Sequence, residues 1–394
     1  METKNLRGAN SSVLIVVPLS GFVSWETDGL SMKYVRETHR YIAGAFAGLF
    51  VGLFCLPAAT ASGLENYTLG EGLWLSDVHV SGYVTLEGKI PKNGTSEFII
   101  DDLSLFINGR FNRFFNPFFE AEIASVPIAV EGFDLFSGTD TKVVLERLYN
   151  DSHLTDNLTL RLGKSLTPIG EWNSVHAGPL VPTTTRPLTT RRSFSEFVSG
   201  VSLIYAPEKE GLPTVSAYWQ PKGELAHDPD VLVNREFHDI KGVNLAWEWG
   251  FSNKFGMSFQ QADSGTLTND LPGQGSGDEH QYLLGLNVHL VKGKFDFQSE
   301  FTHVWLDNEL ASRVNTQETG VYAQGLYNLN DRWATFARYE YFKDRDFEDS
   351  SRNVVFGIKY SPTPPMVWKL EYVKQWGQEL NISTGIAASL AVLF

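Results

Sequence analysis

The sequence predicts an all-β chain: a transmembrane antiparallel β-barrel of about 16 strands, closed on itself, with one long loop folded into its interior. Three observations lead there. Long stretches alternate between apolar and polar side chains, the connections between them alternate between tiny and long, and an apolar leader stands before the first of them.

Composition narrows the field first. The chain has 394 residues, 42% hydrophobic and 20% charged, with 13% aromatics, 35 Gly and only 4 Met. So many aromatics exclude a disordered chain, and aromatics with Gly but few Met suit short strands better than packed helices. The balance of 32 Lys+Arg against 46 Asp+Glu, a net −14, argues against a nucleic-acid partner. One cysteine excludes a disulfide scaffold and a zinc cage.

The leader comes next. Met32 is followed by Lys33, Arg36 and Arg40, then by an uncharged run over 41–56 (YIAGAFAGLFVGLFCL), Pro57, and Ala59-Thr60-Ala61. A basic start, an apolar stretch and a small-x-small site describe a secretory signal peptide cleaved between Ala61 and Ser62. The competing reading is a membrane anchor, but the run falls short of the roughly 20 residues a spanning helix needs. Cys55 sits behind Phe54, where a lipidation signal would want a small residue. Residues 1–31 fit neither tag nor domain and end before a second methionine, so they read as an upstream extension from a mis-assigned start. The expected organisation is 1–31 extension, 32–61 cleaved signal and 62–394 barrel.

Within 62–394 no apolar run is long enough for a spanning helix, and the pattern has period two. In 295–305, Phe295, Phe297, Phe301, His303 and Trp305 fall on one face and Asp296, Gln298, Glu300 and Thr302 on the other. Tyr282 to Leu290, Val354 to Tyr360 and Trp368 to Tyr372 repeat the pattern, which puts Leu286 and Phe356 outward and Asn287 and Gly357 inward. The predicted strands are 74–87, 97–111, 115–129, 141–149, 157–164, 196–206, 213–221, 240–249, 254–262, 280–291, 294–306, 316–328, 332–343, 352–360, 366–376 and 383–394. Turns such as 250–253, 291–294 and 329–331 are tiny, whereas 165–195, 223–239 and 263–279 are long. That asymmetry is expected of a membrane barrel. Aromatics near strand ends (Trp219, Trp249, Phe255, Trp305, Tyr327, Trp333, Trp376) suit interfacial girdles.

Sixteen strands enclose an aqueous channel where eight would be filled by side chains. Charges on the polar faces, among them Asp77, Asp102, Arg110, Glu120, Glu122, Arg161, Glu248, Arg338, Glu340, Lys359, Lys369 and Glu371, are expected to line that lumen, so Arg at Asn287 or Gly357 is expected to be tolerated. One strand resists sorting: in 141–149 strict alternation turns either Glu146 or Arg147 outward, which a bulge, an interface position or a protein–protein contact would resolve.

Other chemistries find little support. No His-x-Ser-Asn-Gly arrangement suggests a phospholipase, and the scattered histidines form no spaced metal pair. Asp344, Asp346 and Asp349 read better as a charged extracellular loop tip than as a calcium site. The glycine-rich 270–278 lacks the Lys-Ser/Thr and helix of a phosphate loop. No catalytic residue, metal or cofactor is expected.

The stretch 158–190, with Arg161-Leu-Gly163-Lys164, Pro168-Ile-Gly170 and Trp172-Asn173, resembles the strand-to-loop segment of the Gram-negative outer-membrane porin superfamily that includes phosphate-selective porins. The terminal alternation Ile386, Ala388, Leu390, Val392, Phe394 resembles the closing strand of bacterial outer-membrane proteins, which the barrel-assembly machinery reads as a signal. The resemblance implies the bacterial outer membrane, a setting of lipid and lipopolysaccharide, a homotrimer, and a constriction loop at 165–195. Arg161, Lys164, Glu171, Arg186, Arg191 and Arg192 would then line the constriction with Glu120, Glu122, Arg338, Glu340, Lys369 and Glu371. The expected function is passive diffusion of small hydrophilic solutes and ions, with anions favoured if the loop cations are free and little preference if they pin the loop to wall acids. The alternative is a plugged barrel with an enzymatic, lipase-like, adhesive or structural role.

Overall fold

The computed structural model describes residues 66–132, 136, 141–226, 235–250, 252–266, 279–307, 314–380 and 382–394. The expected leader and the expected cleavage between Ala61 and Ser62 lie outside them. Two short strands, β1 (Tyr67–Thr68) and β2 (Gly72–Leu75), precede sixteen long ones. These are β3 (Val78–Pro91), β4 (Glu97–Gly109), β5 (Pro117–Val130), β6 (Lys142–His153), β7 (Leu158–Leu166), β8 (Phe197–Tyr205), β9 (Thr214–Gln220) and β10 (Arg235–Trp249). They continue as β11 (Asn253–Thr266), β12 (Glu279–Lys292), β13 (Phe295–Leu306), β14 (Gln317–Asn328), β15 (Trp333–Lys343), β16 (Ser351–Thr363), β17 (Met366–Gly377) and β18 (Gly385–Leu393).

Each long strand pairs antiparallel with the next, and β18 closes on β3 from Gly385 opposite Pro91 to Leu393 opposite Tyr83. Closure leaves no unpaired edge, which is what hydrocarbon requires of a sheet. At the seam Phe394 exchanges two backbone hydrogen bonds with Gly82 (2.8 and 2.9 Å). Beyond that point β2 takes over as the neighbour of β3, with Leu73–Leu75 opposite Val78–Val80.

All sixteen predicted strands are present. Their ends differ: β3 starts at Val78, β10 reaches back to Arg235 and β11 runs on to Thr266, so the long loops are shorter than predicted. Asp77 and Arg110 therefore sit in the turns that flank β3 and β4, where the Arg110 N–H donates to the Asp77 carbonyl, and not on the lumen wall. The outward faces are as predicted, with Phe356 54% exposed and the inward Glu371 2%. Trp219, Trp249, Trp305, Trp333 and Trp376 are all exposed near strand ends.

The ambiguity in β6 is resolved by a bulge. Glu120 pairs with Arg147 and the next residue, Ala121, pairs with Leu145, so Glu146 is the extra residue. Glu146 is buried, Arg147 bonds to the buried Glu120, and Leu148 returns to the exposed face. Both charges escape lipid at the cost of one local break in the ladder.

The expected tolerance of Arg at Asn287 and Gly357 does not hold. A Cβ on Gly357 would come 2.3 Å from the Leu370 carbonyl oxygen and 2.6 Å from the Phe336 ring. Asn287 is buried against Gly256. The faces are right, but here the inner wall is packed rather than wet.

Candidate functional site

The connector 167–196 between β7 and β8 folds inward, close to the predicted 165–195. Its base is pinched: the Thr167 hydroxyl donates to the Ser195 carbonyl (2.7 Å), and the Asn173 amide donates to the carbonyls of Thr167 (2.7 Å) and Glu196 (3.0 Å). Its apolar residues then dock on the inner wall. Ile169 and Phe194 pack with Leu283, Val304 and Leu306; Trp172 and Val181 with Tyr322; Leu188 with Leu326, Phe336 and Val355.

Three wall carboxylates hold the loop backbone. Glu300 accepts from the N–H groups of Glu171 (3.1 Å) and Trp172 (3.0 Å). Glu371 accepts from those of Thr184 (2.9 Å) and Thr185 (2.8 Å). Glu340 accepts from those of Leu188 and Thr189, at the single 3-10 turn of the loop, Leu188–Thr190. Successive N–H groups converging on one anion make a strong, oriented grip. Gly170 makes the first grip possible: its φ is +74°, and a Cβ there would lie 1.9 Å from Glu300 Oε2.

Cations of the same wall take the loop's acceptors. Arg338 donates to the Thr183 hydroxyl and to the Thr185 carbonyl and hydroxyl (2.8 Å each). Lys369 donates to the carbonyls of Gly178 (2.7 Å) and Thr183 (3.0 Å). Gly178 is again a close approach, since a Cβ there would meet Thr85 Oγ1 at 2.2 Å.

Sequence patterning put Asp344 and Asp346 at an exposed tip. Asp346, like Asp349, is exposed as expected, but Asp344 and Arg345 turn inward and are fully buried: Arg192 pairs with Asp344 (2.9 Å), and Arg345 pairs with Glu318 (3.0 Å) and Glu279 (3.1 Å). An aspartate run looks solvated until its partners, far away in sequence, are known.

The remaining predicted residues lie elsewhere around the loop. Arg186 pairs with Glu196 and also donates to Asn173 Oδ1 (2.9 Å). Glu171 pairs with Lys254 (2.8 Å), Lys164 with Glu224 (2.7 Å), and Arg161 with Asp151 (2.8 Å). Glu122 accepts from the Ser104 hydroxyl (2.7 Å). Enclosure opposes ionisation of Glu196, but Arg186, His176 and Arg191 outweigh it and hold the carboxyl down to about 2. Enclosure pushes His176 down to about 4, with Arg186 and Arg147 adding to the effect and Glu196 opposing it. Among the described residues no group of three or more His, Cys, Asp or Glu is placed to hold a metal ion.

Closed, apolar outside, charged within and crossed by an inward loop, the chain is a membrane-spanning β-barrel with the porin-type outer-membrane fold. No family model and no curated protein matches it. Solved structures do. The outer-membrane-expressed OmpT of Vibrio cholerae is 14% identical with a TM-score of 0.57, covering 82% of this chain and 99% of its own. OmpF of Salmonella typhi, solved with daunomycin, is 13% identical with a TM-score of 0.56, covering 80% and 97%. The outer-membrane channel DcaP of Acinetobacter baumannii is 11% identical with a TM-score of 0.53, covering 82% and 99%. A further matching OmpT structure, 13% identical with a TM-score of 0.57, is a trimer form. This shared fold and the apolar outer band place the chain among the barrels of the bacterial outer membrane.

Proposed function

We propose that the protein is a porin: a water-filled channel for passive diffusion of small hydrophilic solutes and ions, with 167–196 as its constriction and no catalytic step. One observation carries the reading. The loop is fastened to the β12–β18 side of the wall, while charges on the β5–β7 side keep water access: the side chains of Arg147, Asp151 and Arg161 are 22%, 21% and 25% exposed. Charged groups held at that accessibility inside a barrel of this width support a continuous water path. Because Arg161, Lys164, Arg186 and Arg192 are all paired with acids, they support little net anion preference, and of the four pairs only Arg192 with Asp344 ties the loop to a distant part of the barrel.

The same reading includes export by the 32–61 signal, Phe394 as the assembly signal, contact with lipid and lipopolysaccharide, and a homotrimer, the last supported by the trimeric relative in fold. The plugged-barrel alternative draws on the tight packing of Glu300, Arg338 and Glu340 against the loop. Planar-bilayer recording separates the two. The porin reading expects discrete steps whose size scales with salt; protein that is folded by heat-modifiable gel mobility but never conducts would overturn it.

A further inference from the structure

We infer that the segment 344–347, between β15 and β16, is a second sieve: a bar fixed across part of the long-loop mouth that sorts solutes by size and not by charge, with Arg345 as its positioning residue. The inference rests on the channel reading and adds to it a determinant of what passes. Its first support is reach. Arg345 donates to Glu318 on β14 through Nε (3.0 Å), and to Glu279 (3.1 Å) and Gln281 (2.9 Å) on β12. One residue on, Asp346 pairs with Arg235 at the start of β10, and Arg235 Nη1 lies 3.8 Å from Glu318. β10 is five strands away from β15 around the sheet, which at the usual strand spacing is roughly 24 Å of wall. The three residues from Lys343 to Asp346 extend the chain by only about 10 Å. The segment therefore cannot follow the rim to β10. It cuts across the opening, and the Arg235 side chain meets it from the far side.

The second support is that the bar is held from all sides. The N–H groups of Val314 and Asn315 donate to the Arg345 carbonyl (3.2 and 2.9 Å), and the Asn315 amide donates to the carbonyls of Asp344 (3.0 Å) and Phe347 (2.7 Å). The Asp346 N–H closes a turn on Asp344 Oδ1 (2.8 Å). Phe347 packs on the apolar cluster that contains Leu188 of the constriction loop. Arg192 of that loop reaches Asp344 through Nε (3.0 Å) and Nη2 (2.9 Å), and the Gln281 amide donates to the Ser193 carbonyl (3.1 Å). Bar and loop are one assembly.

The third support is the charge balance. Arg192, Arg235 and Arg345 meet Glu279, Glu318, Asp344 and Asp346, three cations against four anions, and all but Asp346 are buried. Charges so engaged leave little field for a passing ion, so the bar presents bulk rather than sign. A buried ion network stabilises no better than apolar packing, and folding alone does not ask for one here. Directional bonds to strands on both sides of a gap supply position, which a sieve needs.

The test is solute exclusion by the full-length protein in planar bilayers, read with a graded series of poly(ethylene glycols) in KCl. Arg345→Gln, checked for folding by gel mobility, should admit larger polymers than the wild type and raise single-channel conductance about twofold, with reversal potentials in a KCl gradient unchanged. Arg345→Lys, which keeps a cation beside Glu318, should stay near the wild type. An unchanged size limit in a conducting Arg345→Gln barrel, or a shifted reversal potential without a shifted size limit, overturns the sieve and leaves the channel standing. Cover by the bar is also readable without conduction. Ser264 on β11 is 2% exposed and lies opposite Glu279. In the detergent-solubilised barrel, Ser264→Cys should react with a charged methanethiosulfonate about tenfold faster when combined with Arg345→Gln, because the bar no longer closes over it. Equal rates overturn the bar whether or not the protein conducts. If Arg345→Gln does not fold, Arg235→Gln, which frees only the far end of the bar, is read in both assays in the same way.

Discussion

The inner walls of the two halves of this barrel use the same raw material differently. Along β12–β18, Glu300, Glu340, Glu371, Arg338 and Lys369 are turned onto the loop, each meeting its backbone or hydroxyls, and all are buried. Along β4–β7, Glu120, Arg147, Asp151 and Arg161 are turned onto one another and onto rings, and the two arginines keep contact with water. A charge in a lumen is thus not defined by facing inward. Fastened to the loop it holds that loop against the wall; balanced beside water it stays accessible.

The largest expected effect tests whether the two halves differ only inside. Phe356 on the loop-bearing half and Leu162 on the open half are both exposed outward at mid-strand. Arg at either should cost about 2–4 kcal/mol in lipid refolding titrations. A large difference between them would mean that the outer faces are not equivalent and that one is covered by protein.

Inside, removal of a gripping carboxylate should matter more than removal of a balanced one. Glu371→Ala leaves the N–H groups of Thr184 and Thr185 without an acceptor and should destabilise by about 1–3 kcal/mol, with faster proteolysis within 178–192. Asp151→Ala, where both partners keep water access, should cost about 1 kcal/mol or less. Equal losses, read by urea denaturation, would erase the distinction between the walls.

The smallest effect is a pH dependence of loop docking. His176 accepts a proton only near pH 4 in the folded chain but near 6.5 when unfolded. Between these values the unfolded state binds more protons, so the contribution is present above about 6.5 and is lost as pH falls toward 4. Glu196, held down to about 2, stays ionised across that window. The thermal midpoint of the gel-mobility shift should therefore fall between pH 6.5 and 4, and His176→Gln should flatten that change. A midpoint that rises toward pH 4 would contradict the sign.

Much of this was legible in one dimension. Alternation at Phe295–Trp305 and Trp368–Tyr372 gives both face and strand, because hydrocarbon and water impose opposite chemistry on neighbouring residues. The Pro168-Ile-Gly170 and Trp172-Asn173 stretch marked the loop base, and its residues do anchor it. Period two is silent where phase slips, so the Glu146 bulge shows only as a conflict. It is silent, too, on which wall the loop meets, since Thr184 and Glu371 are paired by closure of the barrel and not by proximity in sequence. That is also why Asp344 read as exposed and Gly357 as tolerant.

Thiol accessibility tests the contrast between the walls most directly. Cysteine placed at Asp151 on the open side, or at Gln324 on the loop-bearing side where only 2% of the residue is exposed, can be probed with a charged, membrane-impermeant methanethiosulfonate during bilayer recording. The account predicts rapid modification of Asp151→Cys with a stepwise change in current, and much slower modification of Gln324→Cys. Equal, rapid modification of both would show that the loop does not hold the β12–β18 side, and modification of neither would show that no water path runs past β4–β7.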